Sequence, residues 1–231
     1  MRSRTVVAIA ATSLIGVCLL LPACGREENA PIFGESSQPA QAAVPETSGA
    51  AAEAEKIKIK TPDELTVVVF KPRGEEVKIE FQEDGRERVL RGKLKESGKR
   101  KYDEEGGGLV AEVKPGESGF KVRTPGGELL WKVKLSAEKI KISDNEENRN
   151  PFVLRLSGED RVKILLNDST DVGRVKFYRD RGKVKIKDPA DTTLYESNTE
   201  RYSAMYGVLL MPEIPAAERY IVMAELLLRQ R

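Results

Sequence analysis

The sequence contains no histidine. That removes the commonest general base, the usual protonation switch near neutral pH and the commonest zinc ligand. There are two cysteines, Cys18 and Cys24, and one tryptophan, Trp131. So few thiols cannot form a disulfide framework. One tryptophan gives no aromatic-rich sugar groove, so a hydrolase using two carboxylates rests only on the abundance of acids. No serine sits in a nucleophile-elbow pattern, and no histidine could activate it. Gly106-Gly107-Gly108 lacks a following Lys-Ser/Thr and precedes a strand, Leu109 to Val113. It reads as a hairpin tip and not as a phosphate loop. Asp144 to Asn150 spaces oxygen side chains two apart, as a calcium loop does. Arg149 stands where the sharp-turn glycine would be, and no glutamate follows at the twelfth position. An Asx-rich turn is expected there, with no metal. The chain is read as non-enzymatic and free of cofactors.

Excess charge of one sign is also missing. The 231 residues hold 39 Lys+Arg and 37 Asp+Glu. Residues 1–24 contain two arginines and no acid, so the remainder carries 37 of each sign. A nucleic-acid-binding domain usually has a net basic excess; this chain has none beyond residue 24, and nucleic acid is not an expected partner. The charges alternate with Val, Ile, Leu and aromatics, which is the texture of a folded domain.

The N-terminus is different. Arg2 and Arg4 precede an apolar run, Val6 to Leu21, too short and too rich in small residues for a membrane span. Leu21-Pro22-Ala23-Cys24 then resembles the lipobox of bacterial lipoproteins. The resemblance implies a signal peptide over 1–23 and acylation of Cys24, with several acyl chains anchoring the protein. Cys18 would be removed with the signal. By the same analogy Gly25, where an aspartate would retain the protein at the inner membrane, implies the periplasmic face of the outer membrane. Residues 24–55 are rich in Ala, Pro, Ser, Gln and Glu, with Ile32-Phe33 as the one apolar pair. This linker has an r.m.s. span of roughly 30 Å if flexible and roughly 100 Å fully extended.

From Lys56 the period becomes two. Lys56-Ile57-Lys58-Ile59-Lys60, Val77 to Phe81, Trp131 to Leu135, Lys139 to Ile142, Arg161 to Ile164 and Lys183 to Lys187 alternate apolar and charged residues. Each predicts a half-buried strand with Lys or Arg on its wet face. Glu83-Asp84-Gly85, Lys114-Pro115-Gly116, Thr124 to Gly127 and Asp180-Arg181-Gly182 punctuate them as turns. About twelve short strands between residues 56 and 198 predict a mainly β fold, an antiparallel barrel or, alternatively, a sandwich, within a single domain over 56–231. Val122 to Asp144 and Ile164 to Asp188 repeat one pattern at an offset of about 42 residues, a duplicated meander too short for a solenoid. The C-terminus predicts a helix over 215–229. Pro215 opens it, and only Glu218, Glu225 and Arg229 interrupt its apolar faces, on one narrow stripe. Its roughly 21 Å length is too short for a bilayer, so burial in protein is expected.

Many short strands ending in a nearly all-apolar helix resemble the tubby C-terminal-like fold, which includes the LURP-one-related and scramblase families. The resemblance covers residues 56–231, most specifically Gly127-Glu128-Leu129-Leu130-Trp131-Lys132-Val133 and Pro215 to Arg229. It implies a barrel threaded by the C-terminal helix, with Met205 to Ile214 packed at the barrel mouth. No phosphoinositide-binding residue of the tubby proteins matches this chain position by position.

The candidate ligand site is the set of lysine ladders. Lys132, Lys134, Lys139 and Lys141 lie in one repeat, and Lys183, Lys185 and Lys187 in the other. If their wet faces coincide they form a cationic patch for anionic headgroups. The alternative is a solvated strand face on which lysine blocks edge-to-edge association. The expected function is binding or scaffolding at the cell envelope. Its partner would be anionic lipid or, through a strand edge or loops, an envelope protein.

Overall fold

The computed structural model describes residues 56–229; the lipobox-like segment, Cys24 and the linker expected over 24–55 lie outside the described residues. Fourteen strands follow one another: β1 (Ile57–Lys60), β2 (Thr66–Arg73), β3 (Glu76–Glu83), β4 (Arg86–Leu94), β5 (Arg100–Glu104), β6 (Leu109–Gly116), β7 (Gly119–Arg123), β8 (Leu129–Leu135), β9 (Lys139–Ser143), β10 (Phe152–Leu156), β11 (Arg161–Leu166), β12 (Thr170–Tyr178), β13 (Lys183–Lys187) and β14 (Thr193–Asn198). Each pairs antiparallel with its sequence neighbours, and β14 pairs with β1 to close a barrel. The period of two drives this: in β13, Val184 and Ile186 are buried inward while Lys183, Lys185 and Lys187 lie outward. Asp84-Gly85 links β3 to β4 with both residues left-handed, as a tight hairpin between right-twisted strands requires.

Closure excludes the sandwich, and the strand count is two above the expected twelve. Among the described residues the closed sheet leaves no free strand edge, so faces and loops are the surfaces open to a partner. One hydrophobic core draws on residues from Ile57 to Leu227.

Eight strands leave room for little more than side chains, whereas fourteen enclose a space that must be filled. The helix α1 (Ala216–Arg229) and the 3-10 segment Ala204–Leu210 fill it. Tyr220 packs its ring 4.8 Å from Phe81 on β3, with Phe70 of β2 at 6.4 Å. Arg229 stacks over Phe120 of β7. The indole N–H of Trp131, on β8, donates to Glu218. The 3-10 segment is wholly buried and lies against β10 to β13; a methyl group on Gly207 would stand 2.9 Å from Ile164. Contacts with strands on opposite walls place α1 and this segment inside the barrel. Of the residues expected at the mouth, Met205 to Met211 and Ile214 are buried while Pro212 and Glu213 are exposed.

Of the stripe Glu218, Glu225 and Arg229, Glu225 is shut off from solvent, Glu218 is half-buried and Arg229 stays exposed at the helix end. Glu225 is 1% exposed. Its Oε1 accepts from the Tyr102 hydroxyl at 2.9 Å and lies 2.9 Å from Arg100 Nε, whose N–H is not aimed at it. Its Oε2 accepts from Arg229 at 3.0 Å, the expected i,i+4 pair. Burial and the adjacent carboxylate push the Tyr102 hydroxyl well above its ordinary pKa, so it stays protonated and donates.

Candidate functional site

The repeat seen in sequence becomes two three-stranded meanders, β7–β9 and β11–β13. All seven candidate lysines lie on the outer face, because their neighbours Val133, Ile140, Ile142, Val184 and Ile186 are buried inward. The two ladders do not touch: β10, β11 and β12 separate them. Those strands bring in cations of their own, Arg155, Arg161, Lys163, Arg174 and Lys176. Within β8 to β13 the one acidic residue is Asp171. By contrast β3 alone carries Glu76, Glu80 and Glu83. Charge is balanced over the chain but segregated around the barrel.

Register sharpens this. Lys139 stands opposite Arg155, Arg155 opposite Lys163, Lys163 opposite Arg174, and Arg174 opposite Lys187. Arg161, Lys176 and Lys185 make a second row, which ends on Glu196 of β14. Like charges directly opposite one another destabilise a sheet. Sequence reasoning missed the middle of these rows. Arg161-Val162-Lys163-Ile164 was legible as a strand, but its place between the ladders depends on strand order.

In an up-and-down barrel, loops alternate between the two ends. The loops after β9, β11 and β13 share one end, opposite the end where the chain enters at Lys56. Each returns an acid onto the cationic face. Glu146 meets Lys121 at 2.8 Å, Arg123 at 3.1 Å and Lys132 at 3.3 Å. Asp168 meets Arg155 at 3.0 Å and Lys141 at 3.4 Å. Asp191 meets Lys187 at 2.8 Å, Lys176 at 3.4 Å and Arg174 at 3.7 Å. Asp171 lies 3.7 Å from Lys163. Glu196 is shared by Lys183 and Lys185. Among the described residues Lys134 and Lys139 have no such counterion, and they lie in the β8–β9 hairpin at the entering end.

The hydrogen bond from Lys187 holds the Asp191 carboxyl below its usual range. Lys121 does the same for Glu146. For Asp168, partial burial works in the other direction but Lys141 and Arg155 outweigh it. A carboxyl whose folded pKa is depressed binds fewer protons than in the unfolded chain. The stability it supplies is complete above its unfolded pKa and is lost as pH falls through the folded one. Thermal midpoints should therefore hold from neutral pH to about pH 5 and fall below the carboxylate range. Anion binding by the outer face should strengthen over the same interval. A midpoint that rises on acidification would contradict these pairings.

The Asp144–Asn150 segment closes on itself. Asn145 Oδ1 accepts from the Arg149 amide at 2.7 Å, and Asn145 Nδ2 donates to the Arg149 carbonyl at 2.9 Å. It is the Asx-rich turn its composition suggested. Glu64 and Glu196 share a shallow groove with Lys60 and Lys183. Partial burial pushes the Glu196 carboxyl up but Lys183 and Lys185 outweigh it, and the hydrogen bond from Lys60 holds Glu64 below its ordinary range. Comparison with protein-family models, with curated proteins and with solved structures yields no match to this chain.

Proposed function

We propose that the chain is a lipid-anchored envelope lipoprotein whose barrel is a non-enzymatic binding or scaffolding domain for anionic lipid. The carrying observation is the outer face of β8 to β13, where every charged strand residue except Asp171 is basic. Lysine and arginine near an anionic surface each contribute about 1 kcal/mol, so even a partly neutralised face gives useful attraction. Lys134 and Lys139, the two candidate lysines without an ion pair among the described residues, lie at the end where Lys56 begins the barrel, and a linker from an acylated Cys24 would join there. An anchor and a cationic hairpin at one end suit a domain held against a headgroup layer, at the periplasmic side of the outer membrane on the Gly25 analogy. Kinship with the tubby-like, LURP-one-related and scramblase group belongs to this proposal; a closed barrel around a C-terminal helix supports it.

A second reading is a protein-interaction module of an envelope complex. The acids Glu146, Asp168 and Asp191 favour it, because they show that protein carboxylates satisfy this face. The experiment has two parts. Metabolic labelling with a fatty-acid analogue should mark the full chain and not Cys24→Ala, which should leave the membrane fraction. Residues 56–231 should cosediment with vesicles in proportion to their anionic lipid content. An unlabelled chain overturns the anchor, and a domain that ignores every vesicle composition overturns the lipid reading in favour of a protein partner.

A further inference from the structure

We propose that the β8–β9 hairpin carries a discrete site for a phosphate monoester. Lys134, Lys139 and Lys141 line a surface concavity of about 310 Å³ together with Ser118, Ser136 and Asn148. A water's share of liquid volume is about 30 Å³, so a tetrahedral oxyanion fits with room for its substituent. The inference rests on the reading of the basic face as an anion-binding surface and adds where the ligand's phosphate sits.

Three observations single out this place. First, its lining contains no carboxylate. Other concavities on the barrel include Glu64 and Glu196, Glu76, or Glu80 and Glu87. Second, its amines are less neutralised than the rest of the ladders. Lys134 and Lys139 form no ion pair among the described residues, although the Asp168 charge reaches Lys139, and Lys141 lies 3.4 Å from an Asp168 that it shares with Arg155. Lys134 stands directly opposite Lys141 across the two strands, and Lys139 is two residues along on the same face. Three ammonium groups so placed repel one another, and an anion between them relieves that repulsion.

Third, the neutral groups offer donors. Asn148 Oδ1 is occupied, accepting from the Ser143 hydroxyl at 2.7 Å, which leaves its Nδ2 hydrogens for a ligand. The Asn148 backbone is left-handed (φ 64°), a conformation asparagine tolerates and most residues resist. Ser118, in the β6–β7 turn, brings a hydroxyl from the neighbouring hairpin, whose carbonyl also accepts from the Leu135 amide at 2.6 Å. Ser136 is spent locally, its hydroxyl donating to the Lys139 carbonyl at 2.8 Å, and it fixes the hairpin turn instead. Ammonium and amide donors with no facing acceptor are the complement of a dianionic phosphate.

The test follows backbone and side-chain amide resonances of residues 56–231 during titration with inorganic phosphate. Saturable shifts confined to Ser118, Lys134 to Lys141 and Asn148 are expected. The Lys134→Gln, Lys139→Gln pair should weaken binding about tenfold, the loss of charged hydrogen bonds, while Lys93→Gln on β4, outside the basic face, should change it less than about twofold. Vesicles then identify the source. Tighter binding to phosphatidate, a monoester, than to phosphatidylglycerol, a diester, at equal lipid fraction assigns a lipid headgroup. Equal binding beside the same local phosphate shifts assigns a soluble phosphate. Shifts that are absent, that spread evenly along β13, or that survive the lysine pair overturn the site. The broader reading fails separately, when no anionic vesicle binds the domain at low salt.

Discussion

A chain carrying Leu227→Asp is expected to reach no cooperative folded state. Leu227 is 1% exposed on α1, inside a barrel whose inner wall is apolar. An aspartate there would be charged without a partner or would be neutralised at the expense of its ordinary pKa. Either cost, added to the lost leucine packing, is comparable with a total folding stability of about 5–15 kcal/mol. The variant should show disordered far-UV circular dichroism and no thermal transition. Leu227→Ala separates charge from volume: it should fold and lose about 2–5 kcal/mol. A Leu227→Asp protein that melts like wild type would mean that the helix is not inside the barrel.

The second large effect is expected at Glu225. Glu225→Ala leaves the Arg100 guanidinium, 8% exposed, without its carboxylate, and deprives the Tyr102 hydroxyl of its acceptor. Removing one partner of a buried ion pair costs about 3–5 kcal/mol. The low end applies here, because Arg100 also donates to the Glu75 carbonyl and Arg229 is partly solvated. For a domain of this size a loss of about 3 kcal/mol lowers the thermal midpoint by about 6–12 °C. Replacing Arg100, Tyr102 and Glu225 together by Met, Phe and Leu should cost less than the single change, since no charge is then stranded. Equal losses would show that the cluster contributes packing alone. Glu225 also has a positional role: it is the one fully buried charge on a helix otherwise apolar on most faces. Rotating or sliding α1 by one turn would break its contacts with both Arg100 and Tyr102 on β5.

These two residues also show where the sequence was legible. Leu227 belongs to a pattern readable without neighbours: a short helix apolar almost all round must be buried. The strands with clean alternation were equally readable, and β13 spans the residues its pattern predicted. Legibility fails where a long-range partner reverses the pattern. In β5 the inward positions are Arg100 and Tyr102, tolerable only because Glu225 lies 125 and 123 residues away in sequence to meet them. In β14 an inward Ser197 satisfies its hydroxyl on the Lys58 carbonyl at the seam of the barrel. Neither strand shows a regular apolar period, which is one reason a pattern count falls short of fourteen.

The candidate site divides in the same way. The outward lysines follow from strand parity, a local property. The acids that neutralise five of the seven come from loops and from β14, so only the folded chain distinguishes Lys134 and Lys139 from the rest. The bridging role of Arg155, Lys163 and Arg174 depends on closure order, which periodicity does not encode.

The most direct measurement is the affinity of residues 56–231 for vesicles of fixed anionic content at low and at physiological salt, for wild type and for Arg155→Gln, Lys163→Gln, Arg174→Gln. If the face of β8 to β13 is the functional surface, salt should weaken binding, and the triple variant should lose at least about tenfold at low salt. Binding that is the same at both salt concentrations, or unchanged by removing the three central cations, would contradict it.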